Sequence, residues 1–313
     1  MSKISTRAAY GEALAEIGSD PNIVVLDADL QCCTRTDKFA ALYPQRARNV
    51  GIAEANMVGM AAGLATCGKT VFVNSFAMFT AGRAFEQIRN SLAYPHLNVK
   101  VIGTHAGVTV GKDGATHQCL EDLAVMRAIP GMVVLSPCDA NEAKEATKAI
   151  AAYDGPCFMR LGRLEVDTCT DAIPGYHFEL GKAAKLADGG DVTIIATGLM
   201  VQEALKAHQL LLEQGIRAAI LDIHTIKPLD QEAVIAAARQ TGCIVTAEEA
   251  NVLGGLGAAV AETVCGSCPV PVLRVGVQDQ FGRSGDPLEL MEYYHLTAAD
   301  IAEKAKEAVS MKK

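Results

Sequence analysis

Apolar runs too short to be helices recur through the first half of this chain: Ile23-Val24-Val25-Leu26, Thr70-Val71-Phe72-Val73-Asn74, Val99 to Thr104, Val133-Val134-Leu135 and Cys157-Phe158-Met159-Arg160. A strand apolar at consecutive positions has two faces to cover, whereas a strand with one face in water alternates. Between the runs, apolar residues fall three and four apart, as in Met57, Met60, Ala61, Leu64 and Ala65, the spacing of a helix face. Buried strands alternating with helices predict an α/β fold, a mainly parallel sheet with flanking helices on both faces.

Local signals place the elements. Thr6 is read as the cap of a helix through Ile17, Phe79 to Leu92 as a helix, and Asp139 as the cap of a helix through Ala152. From Leu161 to Gly181 the pattern lapses into Gly, Asp, Thr and Pro174, the composition of a linker. It then resumes, with strands expected at Val192 to Ala196, Ala218 to Asp222, Cys243 to Ala247 and Val270 to Val275. Helices are expected near Val201 to Gln214, Asp230 to Gln240, Leu256 to Val264, Leu288 to Tyr294 and Ala298 to Val309. A chain of 313 residues is long for one domain. Two α/β domains are expected, at 1–168 and 169–313.

A formal charge of −8 argues against nucleic acid, which is held by clustered Lys and Arg. Phosphorylated small molecules need only a few local cations. The stretch Met1-Ser2-Lys3-Ile4-Ser5-Thr6-Arg7 has no apolar signal core, and no segment is long and apolar enough to predict a membrane span. The cytoplasm is the expected compartment. Ten cysteines then read as small hydrophobes rather than a disulfide framework. Cys265-Gly-Ser-Cys268 matches C-x-x-C, but no second ligand pair accompanies it and a strand follows directly. Gly254-Gly255-Leu256-Gly257 opens a helix after a strand, the setting of an anion-binding loop, yet Val260 breaks the G-x-G-x-x-G spacing. A strand-to-helix turn is the plainer reading.

Glu54, in Gly51-Ile52-Ala53-Glu54-Ala55-Asn56-Met57, enters an apolar helix, where loss of hydration favours a protonated carboxyl able to donate a hydrogen bond. A glutamate meeting the helix macrodipole accounts for the same position. Asp29 follows the first strand. In parallel sheets ligands lie beyond the carboxyl ends of the strands, although a turn-capping carboxylate also suits the site. Phe76 and Phe79 end the next strand, as ring-stacking residues or as core. The stretch from His105 to Gln118 combines Gly107, Gly111 and Gly114 with His105, Asp113 and His117. A loop so polar is either solvent-exposed or functional. A metal site competes for two His and an Asp, but the three lack compact ligand spacing.

Taken in order, Leu26-Asp27-Ala28-Asp29-Leu30, Gly51-Ile52-Ala53-Glu54, Ser75-Phe76-Ala77-Met78-Phe79 with Arg83, Thr104-His105-Ala106-Gly107 and Gly111-Lys112-Asp113-Gly114-Ala115-Thr116-His117-Gln118 resemble the C-terminal part of a transketolase. The resemblance runs from about Lys3 to the C-terminus, and the His-Asp-His block is its most specific part. It implies thiamine diphosphate as cofactor, with Glu54 bonded to the pyrimidine ring nitrogen, Phe76 and Phe79 holding the ring and Asp29 near the thiazolium. It implies that His105 and His117 polarise the substrate carbonyl and move protons, that Asp113 reads a hydroxyl, and that Arg160, followed by Gly162-Arg163, binds the sugar phosphate. The implied reaction is reversible transfer of a two-carbon ketol unit from a ketose phosphate to an aldose phosphate.

In this family Mg2+ and the diphosphate are held by a separate domain that opens with Gly-Asp-Gly and carries a downstream Asn. That pattern is absent here. The chain therefore resembles the second half of a split transketolase, whose partner would be the N-terminal subunit with the magnesium ligands, together forming a heterotetramer. His224-Thr225-Ile226-Lys227-Pro228-Leu229-Asp230 and Glu248-Glu249 resemble the family's C-terminal domain, where packing and subunit contacts are expected. Two other enzymes share the layout. Against the β subunit of a 2-oxo acid dehydrogenase, the block of His105 and Asp113 to Gln118 favours a sugar substrate; a deoxyxylulose-phosphate synthase is normally one long chain and would be expected to carry Arg in place of His105. A non-catalytic homologue would have lost Glu54.

Overall fold

The computed structural model describes residues 3–312. Its larger sheet has seven strands in the spatial order Thr225–Lys227, Val133–Leu135, Cys157–Arg160, Val99–Thr104, Thr70–Phe76, Ile23–Asp27 and Ala47–Asn49. All neighbours are parallel except the first pair. The pleat sorts successive side chains to opposite faces. Val71, Val73 and Val101 pack with Met57, Val58 and Ala61 of the helix Glu54–Thr66. Phe72 and Ile102 pack on the other face with Tyr10 and Leu14 of Thr6–Ile17 and Ile150 of Ala140–Ala152. A second sheet runs Val272–Val277, Ile244–Asn251, Val192–Ala196, Ala218–Asp222 and Ala184–Ala187, with only the last strand antiparallel. Both are helix-covered parallel sheets, as the consecutive apolar runs predict. Among the described residues no helix is long and apolar enough to cross a membrane.

The two halves are closely interlocked. Thr225–Lys227, from the second half of the chain, completes the edge of the first sheet, and Ser136 N–H donates to His224 O. The stretch expected to be a linker is itself structured. Glu165–Val166 pairs with Ile4–Ser5, and the Thr170 N–H and hydroxyl donate to Asp139. Composition alone reads this stretch as a tether, but here its backbone pairs with the first half at Ile4–Ser5 and Asp139, and the Gly181 N–H donates to the Thr225 hydroxyl of the second.

Three local expectations are corrected. Ser5 holds the cap position, while Thr6 lies inside the helix and its hydroxyl accepts the N–H of Gly162 at 2.8 Å. The helix expected from Phe79 is two π-helical stretches, Met78–Arg83 and Ile88–Ala93, joined through Phe85–Gln87. The Thr80 hydroxyl there returns to the carbonyls of Phe76 and Ala77, competing with the regular ladder. The short edge strands Ala47–Asn49, Ala184–Ala187 and Thr225–Lys227 carry no strand signal, because three or four residues are too few to show a period, even where Thr225 and Ile226 are buried.

Candidate active site

Neighbouring parallel strands bring their carboxyl ends to one edge of the larger sheet. Phe76 ends Thr70–Phe76, His105 follows Val99–Thr104, and Arg163 lies just beyond Cys157–Arg160. The Phe76 and Phe79 rings lie nearly parallel, 15° apart, with centroids separated by 5.9 Å. His105 lies against Phe76 at 3.9 Å, and His117 stands edge-on to Phe79 at 5.3 Å. The sequence-expected aromatic and histidine residues are thus brought together.

Glu54 is the first residue of its helix and is 1% exposed. Its surroundings are not the wholly apolar ones expected. Oε1 accepts from the Ser75 hydroxyl at 3.2 Å and Oε2 from Arg83 Nη1 at 2.7 Å. The Arg83 guanidinium lies over the Phe79 ring, 4.6 Å from its centroid. A contact chain therefore runs from the buried carboxylate through Arg83 and the paired rings to both histidines.

His105 is buried, with a left-handed φ of 56°. Burial first, and then the charges of Arg7, Arg163 and His117, push its pKa down to about 3. Arg7 Nη1 lies 3.3 Å from His105 Nε2. Since a guanidinium can only donate, Nε2 is the acceptor. The ring proton then sits on Nδ1 and points to the Thr104 hydroxyl 2.9 Å away. His105 is neutral near pH 7, suited to hydrogen bonding rather than to carrying charge. His117 is half-buried, with Nδ1 2.9 Å from the Thr116 hydroxyl.

The loop between the histidines is buried as far as Gly111 and exposed at Lys112 and Asp113. Val108–Asp113 forms a 3-10 turn. Gln118 Nε2 donates to Val108 O, Gly111 O and Arg283 O. The Glu249 carboxylate accepts the Thr109 N–H, so the second half of the chain fixes the loop that presents His105. Gly107, at φ +82°, passes so close to Glu249 that a Cβ would collide with the carboxylate. These supports were not legible in the sequence, which offers only the glycines as a signal.

Arg160 is placed elsewhere than expected. It is 5% exposed, and its Nε donates to Asp122 at 2.8 Å while Nη2 donates to Glu249 O at 2.6 Å. Engaged in this buried strut, it is withdrawn from any sugar phosphate. Arg163, three residues on, reaches the surface, bonding Val110 O at 3.0 Å and standing 3.5 Å from Asp113. Arg7 was missed by sequence reasoning. Burial, followed by the charges of Arg35 and Arg163, holds its pKa below the usual value, and the same three cations help to lower that of His105. The Nε atoms of Arg7 and Arg35 are buried without a partner, an arrangement that an anion would complete.

Asp29, also at positive φ, is exposed and accepts from Asn49 Nδ2 at 2.8 Å. At the glycine loop, the Glu248 carboxylate accepts the N–H groups of Leu256 and Gly257, each at 2.8 Å. A Cβ at Gly255 would collide with it. The anion position at that helix N-terminus is therefore filled by the protein itself, and a diphosphate does not fit there.

A buried carboxylate, tied through Arg83 to a nearly parallel ring pair that both histidines also touch, lies at the carboxyl ends of a parallel α/β sheet. Residues 2–168 match the transketolase pyrimidine binding domain and residues 181–301 the transketolase C-terminal domain. The chain belongs to the transketolase family. It is 49% identical over 303 residues to a putative transketolase C-terminal section of Methanocaldococcus jannaschii, covering 96% of this chain and 95% of that one. It is 46% identical to a 6-deoxy-6-sulfo-D-fructose transketolase subunit of a Clostridium species, covering 98% and 95%. A solved structure described as a split gene transketolase, inactive β4 tetramer, matches with a TM-score of 0.91 and 47% identity over the whole of both chains. Thiamine diphosphate dependence belongs to the family as a whole.

Proposed function

We propose that this chain is the C-terminal subunit of a split transketolase, divided at 168/169 and acting in the cytoplasm with an N-terminal subunit that holds Mg2+ and the cofactor diphosphate. The observation that carries the reading is the joining of Glu54, Phe76, Phe79, His105 and His117 through consecutive contacts that run by way of Arg83. The bound cofactor supplies a carbon nucleophile that makes and breaks a bond beside a carbonyl. Glu54 holds a proton at the pyrimidine ring nitrogen, and the paired rings fix the plane of that heterocycle. Neutral His105, together with His117, hydrogen-bonds the oxygens of the sugar, and Asp113 reads one hydroxyl. Arg7, Arg35 and Arg163 take the anionic end of the substrate, in the role first expected of Arg160. The substrates are a ketose phosphate and an aldose phosphate, as in pentose phosphate interconversion. Asp29 serves the thiazolium end. Support for a partner comes from the relatives, which are described as a section, a subunit and a tetramer of one chain type.

Calorimetric titration of thiamine diphosphate and Mg2+ tests this reading, first into the isolated chain and then into its mixture with the N-terminal subunit. Weak binding alone, with tight binding, ketol transfer and a heterotetrameric mass in the mixture, is the expected result. Tight binding and transfer by the isolated chain would overturn the split reading.

A further inference from the structure

We propose that Arg83 is a positioning residue for Glu54, so that the orientation of the carboxylate, and not its presence alone, sets how fast the cofactor is activated. The proposal rests on the thiamine reading above. Both Glu54 oxygens have a donor, the Ser75 hydroxyl on Oε1 and Arg83 Nη1 on Oε2, and two bonds to different oxygens fix the plane of the group. Ser75 is wholly buried, whereas the Arg83 side chain is half exposed. Its guanidinium stacks on the face of Phe79 at 4.6 Å. The π-helical stretch Met78–Arg83 brings the two residues together, and such stretches are frequent at functional sites. The stacked, planar guanidinium has directional donors that an ammonium lacks. Each carboxylate oxygen keeps a further lone pair for the cofactor nitrogen. Arg83 thus couples the ring expected to hold the pyrimidine to the group that bonds its nitrogen.

The test compares wild type, Arg83→Ala, Arg83→Lys and Arg83→Ala supplemented with guanidinium chloride, each assembled with the N-terminal subunit. Hydrogen–deuterium exchange at the cofactor C2 atom needs no sugar. It should slow by about 10- to 100-fold in Arg83→Ala, the effect of losing one charge-assisted hydrogen bond, recover only in part in Arg83→Lys, and rise again with added guanidinium. The circular-dichroism band of the imino tautomer should weaken in parallel, while the KM for sugar phosphate stays within a few fold. In the unloaded chain, Arg83→Ala should lower the melting temperature, and Glu54→Gln introduced beside it should restore most of the loss. Wild-type exchange in Arg83→Ala, or a slow variant that neither guanidinium nor lysine restores, would overturn the positioning role. If the wild-type mixture itself neither binds cofactor nor exchanges, the thiamine reading falls and this proposal falls with it.

Discussion

The Glu249 carboxylate accepts the backbone N–H of Thr109 at 2.7 Å across a separation of 140 residues. Through that bond the second half of the chain holds the turn that follows His105. The adjacent Arg160 strut binds Glu249 through its carbonyl, so the same residue ties together a sheet end, a helix and the histidine loop.

Gly107→Ala should disturb this joint twice over, because its φ of +82° is unfavourable for alanine and the new methyl would meet Glu249. We expect a loss on the order of 1–3 kcal/mol by denaturant titration, with faster hydrogen exchange at Thr109. An unchanged midpoint would mean that Glu249 does not hold the loop.

Arg163→Ala and Arg160→Ala should part company. The first should lower kcat/KM for phosphorylated sugars by about 1.5–3 kcal/mol of binding, affect the dephosphorylated sugars little, and leave the fold intact. The second abandons Asp122 as a buried, unpaired carboxylate and should destabilise the chain by about 3–5 kcal/mol. Equal effects of Arg163→Ala on both classes of sugar would remove it from the anion site.

Glu54→Gln keeps the shape of the side chain and loses the ionisable proton. Exchange at the cofactor C2 atom should fall to background in the assembled enzyme while circular dichroism of the protein is unchanged. Exchange at the wild-type rate would show that another group serves the pyrimidine.

The depressed pKa of His105, about 3 in the folded chain against about 6.5 when unfolded, carries a definite sign. Between these values the unfolded chain binds the extra proton, so stability should rise with pH through this window and fall as pH drops from about 6.5 toward 3. His105→Asn should flatten that slope by up to one proton, as read from melting temperature against pH. An equal slope in the variant would assign the dependence to other groups.

Much of this protein is written at short range. Consecutive apolar residues at Val71-Phe72-Val73 declare two covered faces, and the two-residue period of a strand sends Phe72 one way and its neighbours the other. Burial imposed residue by residue is legible without partners, and parallel order then puts the strand ends, with Phe76 and His105, at one edge. What tertiary structure decided is which groups those ends meet. Arg160 and Arg163 are three residues apart on one strand exit, and only packing against Asp122 and Glu249 makes the first a buried strut while the second reaches the surface beside Asp113. Arg7 reaches His105 over 98 residues and Arg83 reaches Glu54 over 29. Such encounters follow from the spatial order of strands in the sheet. A local period records how far each strand is buried and leaves its neighbours unnamed, so the charges that tune the site appear only once the chain is folded.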